Sequence, residues 1–317
     1  MNRIRRPKRA VTLGATALMA ALTLAVLGAL LWRDREVLLA YDWRVRWGPL
    51  AAALGVYGVG LLLAAAVWAD IMAALGSRLG ARTHIRYYCL TTLTKRLPGT
   101  VWYVAGRGYL YGRQGDSLGL VTVASGVELA VSVVAGALVS VGFLAGSALD
   151  AIGRGQWAVL IVLLGGGLAL VQPRVLRWVM ARVKAELPVD LPAWRLLRWV
   201  AAYALIWVVG GVIVFLAIQA LLSTQTGHLG YILGVWSLVG VLSVTVFFLP
   251  SNMGFTEVGL SLLLARILPS SFAVFIAVFL RLLLLVFEIV GVGIVLLIDW
   301  SRGRAAKETA APVSRPQ

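Results

Sequence analysis

Apolar residues run along this chain for long stretches, and short clusters rich in arginine separate them. A bilayer-crossing helix needs roughly 20 such residues. The pattern predicts spans at 11–32, 49–75, within 118–149, at 157–171, 199–222, 231–249 and 271–298, with a short crossing at 251–268. The expected fold is therefore an all-α, polytopic transmembrane helical bundle of about eight spans. A re-entrant 251–268 is the alternative, and it would leave the C-terminus outside. Residues 33–47 read as a mixed-charge loop with an interfacial helix, Trp43 and Trp47 lying at headgroup level.

Two places break the pattern. In 85–112, Lys95-Arg96 and Pro98-Gly99 interrupt a semi-apolar stretch, and Gly106-Arg107-Gly108 follows. Its apolar pieces are too short to cross, so it reads as a helix-break-helix that dips into the membrane and returns. Such backbone is tolerated only against protein or a wet cavity. In 247–299, Pro250-Ser251-Asn252-Met253-Gly254 ends one apolar run, and Glu257 opens the next. Each half of the chain thus has a Pro/Gly interruption followed by a helix start with one ionisable residue, a pattern that points to a transporter's binding site. Helix starts after Gly99 and Met253 aim unpaired N–H groups inward, with Thr100 and Ser251 or Asn252 as caps. Arg107, flanked by Lys95 and Arg96, adds positive charge. Together these residues describe an anion site.

Each candidate also has a plainer reading. Glu257 complements the dipole of its helix whether or not it meets a headgroup or a proton. Arg281 and Glu288 are two turns apart and share a helix face, where they line a polar path or tie helices together. Glu128 faces inward and pairs with Arg107 or Arg281. Arg107 is a headgroup ligand or a snorkelling border residue. Lys95 and Arg96 mark a cytoplasmic border as readily as a ligand site. Trp102, Tyr103, Tyr109 and Tyr111 read as an interfacial belt.

Composition narrows the class. Of 317 residues, 61% are hydrophobic and 13% charged, against about 25% charged in soluble domains. Residues 1–10 form a basic cytoplasmic N-terminus, 11–298 a single transmembrane domain, and 299–317 a polar, disordered cytoplasmic tail. The net charge of +16 would suggest nucleic acid in a soluble protein. Here arginines border the spans, so their partner is the membrane surface rather than nucleic acid. Basic loops at 76–86 and 172–198 belong with both termini on the cytoplasmic side of a cell (plasma) membrane. A single cysteine, Cys89, and two distant histidines, His84 and His228, argue against a metal or haem site. No cofactor is expected. No Walker A sequence and no catalytic set stand out, so the chain does not read as an enzyme.

The Leu97-Pro98-Gly99 run with its following Gly-Arg, and the later Leu249-Pro250 with Gly254 and Glu257 before a long final helix, resemble the lysylphosphatidylglycerol synthase transmembrane region family. That family includes the flippase-like membrane half of MprF proteins and the YbhN-like and AglD-like membrane proteins. The resemblance covers roughly 10–300. At 250–254 the chain has fewer glycines than the family's Pro-x-Pro-Gly-Gly-x-Gly run, and it has no soluble aminoacyl-transferase domain. The resemblance implies a lipid transporter moving an anionic or aminoacylated phospholipid, or a polyprenyl-phosphate-linked lipid, between leaflets. Substrate contacts fall on Arg107, Thr100, Lys95, Arg96, Ser251, Asn252 and Glu257, and coupling or gating on Glu128, Arg281 and Glu288. The alternatives are a non-transporting accessory subunit of cell-envelope lipid or glycan synthesis and a membrane-embedded polyprenyl-phosphate-dependent transferase. The expected partners are a lipid with an anionic headgroup, an enzyme of lipid or glycan synthesis, and a second copy of the chain.

Overall fold

Inside a bilayer no water satisfies the backbone, so an apolar chain must pair its N–H and C=O groups within its own segments. The computed structural model describes residues 35–96, 101–144, 192–222, 226–245 and 254–309, together with a few positions between 25 and 33 and residues 161 and 165. Among the described residues every regular element is helical. In chain order these are α1 (Arg35–Ala40), α2 (Trp47–Ala74), α3 (Ala81–Thr92), α4 (Val101–Gly112), α5 (Leu118–Leu144), α6 (Ala193–Leu221), α7 (Leu229–Thr245), α8 (Phe255–Leu264) and α9 (Ser270–Thr309).

Four of these helices are long and apolar enough to cross a membrane: α2, α5, α6 and the Ser270–Ser301 part of α9. α7 and α8 are apolar but shorter. The expected spans at 11–32 and 157–171 fall largely outside the described residues, as does most of the 172–198 loop. One expected boundary moves. The final helix does not stop at Asp299 but runs to Thr309. The sequence Ser301–Thr309 contains Ala, Lys, Arg and Glu and no proline, so nothing in it stops a helix. Residues 310–317 lie outside the described part.

Local chemistry sets the other limits. α2 ends where Gly76 takes φ 92°. Gly76 N–H donates to Ala73 C=O at 3.2 Å and Ser77 N–H to Met72 C=O at 3.0 Å, which closes the helix with carbonyls satisfied. Gly254, with φ 99°, performs the opposite task as the N-cap of α8.

Helix ends gather at two ends of the bundle. At the first, Arg46 N–H donates to Ala220 C=O at 2.8 Å. There Tyr41 and Trp43 pack against Phe272 and Phe275, and Tyr231 Oη donates to Leu263 C=O at 2.8 Å. Trp43 is thus packed on protein, its Nε1 donating to Leu38 C=O at 2.7 Å, whereas Trp47 is 75% exposed as expected. At the second end, Ser77 Oγ donates to Asp116 at 2.5 Å, Arg86 pairs with Asp299 at 2.6 Å, and Arg198 and Trp199 both donate to Asp70. The start of α3 and the end of α4 both lie there, so the two helices have their outer ends on the same side of the bundle. α7 starts at the first end, α8 returns to it, and α9 runs from it to the second.

The interior is held by shape. A Cβ on Gly136 would lie 2.5 Å from Val241 and 2.8 Å from Trp207, so only glycine lets α5, α6 and α7 approach this closely. Where lipid is as apolar as the side chains, such packing rather than hydrophobic transfer holds helices together.

Candidate functional site

α3 and α4 deliver their inner parts to the middle of the bundle. Arg107, on α4, is fully buried. A buried guanidinium needs an opposite charge close by. Glu128, near the middle of α5, supplies it: Arg107 Nη1 donates to Glu128 Oε2 at 2.5 Å. Tyr203 on α6 donates to the other oxygen, Oε1, at 2.9 Å, and Arg107 Nε reaches Thr91 Oγ1 at 3.4 Å. The guanidinium carbon lies 3.8 Å from the centre of the Trp68 ring, with Tyr88 at 4.8 Å and Tyr103 at 5.1 Å. These rings offer their negative faces to the cation. Behind them, Trp68 Nε1 donates to Tyr111 Oη at 2.8 Å, and Tyr111 Oη lies 2.9 Å from His84 Nδ1.

Beside this centre lies a cavity of about 500 Å³. The middle parts of α2, α5 and α6 line it, with Tyr88 and Thr92 of α3, Tyr103 of α4, Trp236 of α7, and Leu284 and Glu288 of α9. Glu128 is on its wall, whereas Arg107 stands behind Glu128 and does not line it. Tyr57, Tyr88, Tyr103, Tyr203, Trp207 and Trp236 give the wall its aromatic character. Trp207 is fixed by donating from Nε1 to Ser132 C=O at 2.8 Å. Its size fits the roughly 300–1,000 Å³ of small-molecule sites, and so does its mostly apolar wall with a few polar groups.

The second break builds a separate centre. Glu257 Oε2 accepts from Gly254 N–H at 2.8 Å, the reciprocal half of a helix cap, and Arg281 of α9 donates to its other oxygen. Neither Glu257 nor Arg281 lines the cavity. Glu257 thus caps its helix, and the structure adds an ion pair with Arg281 that the sequence had not suggested. Arg281 and Glu288 share α9 but do different things. Arg281 holds α8, and the half-way point of α9 carries Glu288 to the cavity wall.

Of the expected site residues, the structure brings Glu128 and Glu288 to one cavity with Arg107 directly behind, and it places Glu257 with Arg281 elsewhere. Thr100, Ser251 and Asn252 lie outside the described residues. Lys95 and Arg96 fall in a 3-10 turn at 93–96 that continues α3 inward. The expected aromatic belt divides. Tyr109 is 66% exposed, but Tyr111 is fully buried and Tyr103 lines the cavity. Sequence reasoning missed Tyr57, Tyr88, Tyr203, Trp207 and Trp236. Among the described residues no group of three His, Cys, Asp or Glu side chains is placed to hold a metal ion.

No protein-family model matches the chain, and comparison with curated proteins gives no match.

Proposed function

We propose that this protein is a flippase-like lipid transporter of the cell (plasma) membrane, with both termini cytoplasmic, that carries a lipid headgroup through the mid-bundle cavity while the acyl chains stay in lipid. One observation carries the reading. A cavity bearing two carboxylates lies at the middle of an apolar bundle, beside the α3 and α4 helices. Ionisable groups at that depth are costly and mark transport paths in membrane proteins. A Pro/Gly interruption in each half of the sequence matches the pattern of transporters that bind substrate near the midplane, and residues beside the first interruption line the cavity. The cargo is an anionic or aminoacylated phospholipid or a polyprenyl-phosphate-linked lipid. Glu257 and Arg281 hold the second half-helix and gate its movement. The reading assigns no catalytic step to the chain.

Reconstitution into liposomes with fluorescent analogues of the three lipid classes tests it. Purified protein should speed leaflet exchange of one class over protein-free vesicles, and Glu257→Gln should slow that exchange at least several-fold. Exchange no faster than in protein-free vesicles for all three classes overturns the proposal. A Glu257→Gln rate equal to the parent's removes the second centre from the mechanism.

A further inference from the structure

We infer that the mid-bundle cavity recognises a neutral sugar unit, so that the headgroup carried is a hexose attached to a lipid. The inference rests on the transport reading for the lipid, and on the cavity wall alone for the sugar. The two carboxylates on that wall, Glu128 and Glu288, are both engaged. Glu128 accepts from Arg107 at 2.5 Å and from Tyr203 at 2.9 Å, and Glu288 also has an interaction within the protein. Neither is a spare anion waiting for an ammonium group. The guanidinium that would attract a phosphate stands behind Glu128, off the wall. What the wall offers is aromatic side chains and a few hydrogen-bonding groups.

A hexose matches that offer. Its C–H face carries partial positive charge and lies well against aromatic rings, and Trp207 of α6 and Trp236 of α7 are among the lining residues. Its rim of hydroxyls needs both acceptors and donors. A carboxylate with two lone pairs per oxygen can accept from a sugar hydroxyl while still bonded to its own partner, and the hydroxyl of Tyr103, a lining residue, donates or accepts by rotation. The cavity of about 500 Å³ is of ordinary ligand-site size, about 300–1,000 Å³. A mostly apolar wall with a few hydroxyls and carboxylates fits a ligand that has an apolar face and a hydroxyl-bearing edge, since a buried hydroxyl is costly without a partner.

Binding to the full chain in polyoxyethylene-ether micelles separates the ligand classes. Three probes with the same eight-carbon chain are titrated while thermal stability and tryptophan fluorescence are followed: octyl glucoside, octyltrimethylammonium and octyl phosphate. Octyl glucoside should bind saturably and at least tenfold more tightly than the charged probes. Tyr103→Phe should weaken it several-fold and Trp236→Leu at least tenfold, in variants whose unliganded melting temperature stays near the parent's. If Trp236→Leu does not fold, Tyr103→Phe alone decides. Tighter binding of the ammonium or phosphate probe overturns the inference, as does the absence of saturable glucoside binding or glucoside binding indifferent to Tyr103→Phe. Glucose alone is titrated beside the glucoside. Equal affinity assigns the cavity to free sugar, and dependence on the chain assigns it to glycolipid. Saturable glucoside binding without leaflet exchange leaves the sugar site standing and removes transport, whereas exchange of sugar-free lipids without glucoside binding does the reverse.

Discussion

Arg107 carries a full charge where no water reaches it, and its stability depends on the carboxylate beside it. Removing one member of such a pair strands the other, a loss of about 3–5 kcal/mol, whereas removing both leaves no orphan. Arg107→Met should therefore destabilise the protein by about that amount, measured by unfolding of the purified protein in detergent, and Arg107→Met with Glu128→Gln should recover much of the loss. A single variant as stable as the parent, or a double variant no better than the single, contradicts the ion-pair account. The sequence made Arg107 visible because a charge between two glycines in apolar surroundings has few plain explanations. It left two partners open for Glu128, and the structure selects Arg107. The cavity tyrosines and tryptophans were not legible. In a soluble helix the inward face is apolar and the outward face polar, but in lipid both faces are apolar. Tyr203 on α6 and exposed Leu205 two positions later therefore look alike in the sequence.

Helical elements show the same division between what pattern carries and what it does not. Apolar run length located α2, α5, α6 and most of α9 within a few residues, because a membrane sets the length of a crossing. Pro98-Gly99 and the proline and glycine near 250 marked the interruptions, because those residues break helices for backbone reasons that hold in any solvent. Which helix each break faces depends on packing between distant segments, so the separation of the Glu257–Arg281 centre from the cavity was not readable. α8 illustrates how much rests on one backbone angle. Its N-cap, Gly254, sits at φ 99°, a region that costs an L-residue about 1–2 kcal/mol. Gly254→Ala should lower stability by about that much and loosen the Glu257 cap. Gly126→Ala, at a glycine inside α5 whose added Cβ meets nothing within 4 Å, should be neutral or stabilising by up to about 1 kcal/mol. Equal effects of the two substitutions in unfolding measurements would remove the backbone explanation for the break.

At the scale of the whole molecule, the contacts sort the connections into two ends. Arg78, Arg82, Arg86, Arg113, Arg195 and Arg198 border α2, α3, α4 and α6 where Ser77 meets Asp116 and Arg86 meets Asp299. Among the described residues the first end has fewer arginines: it holds Arg44 beside Asp42 at 2.7 Å, Arg46 and Arg266, with the 3-10 turn Thr226–His228 and the starts of α7 and α9. Lys and Arg concentrate on cytoplasmic loops, so the second end faces the cytoplasm in the proposed orientation, and α3 and α4 reach the cavity wall from that side. The arrangement makes a prediction about access that no single helix makes. Cys89 is buried, so in a Cys89→Ser background one new thiol reports one position. Arg78→Cys and Asp116→Cys should react with a membrane-impermeant maleimide only after the inner face is opened, whereas Arg44→Cys and His228→Cys should react in intact cells. Labelling of all four from one side would mean that the two ends do not lie across a bilayer. Labelling of Arg78→Cys and Asp116→Cys from opposite sides would mean that α3 and α4 do not have their outer ends on the same side.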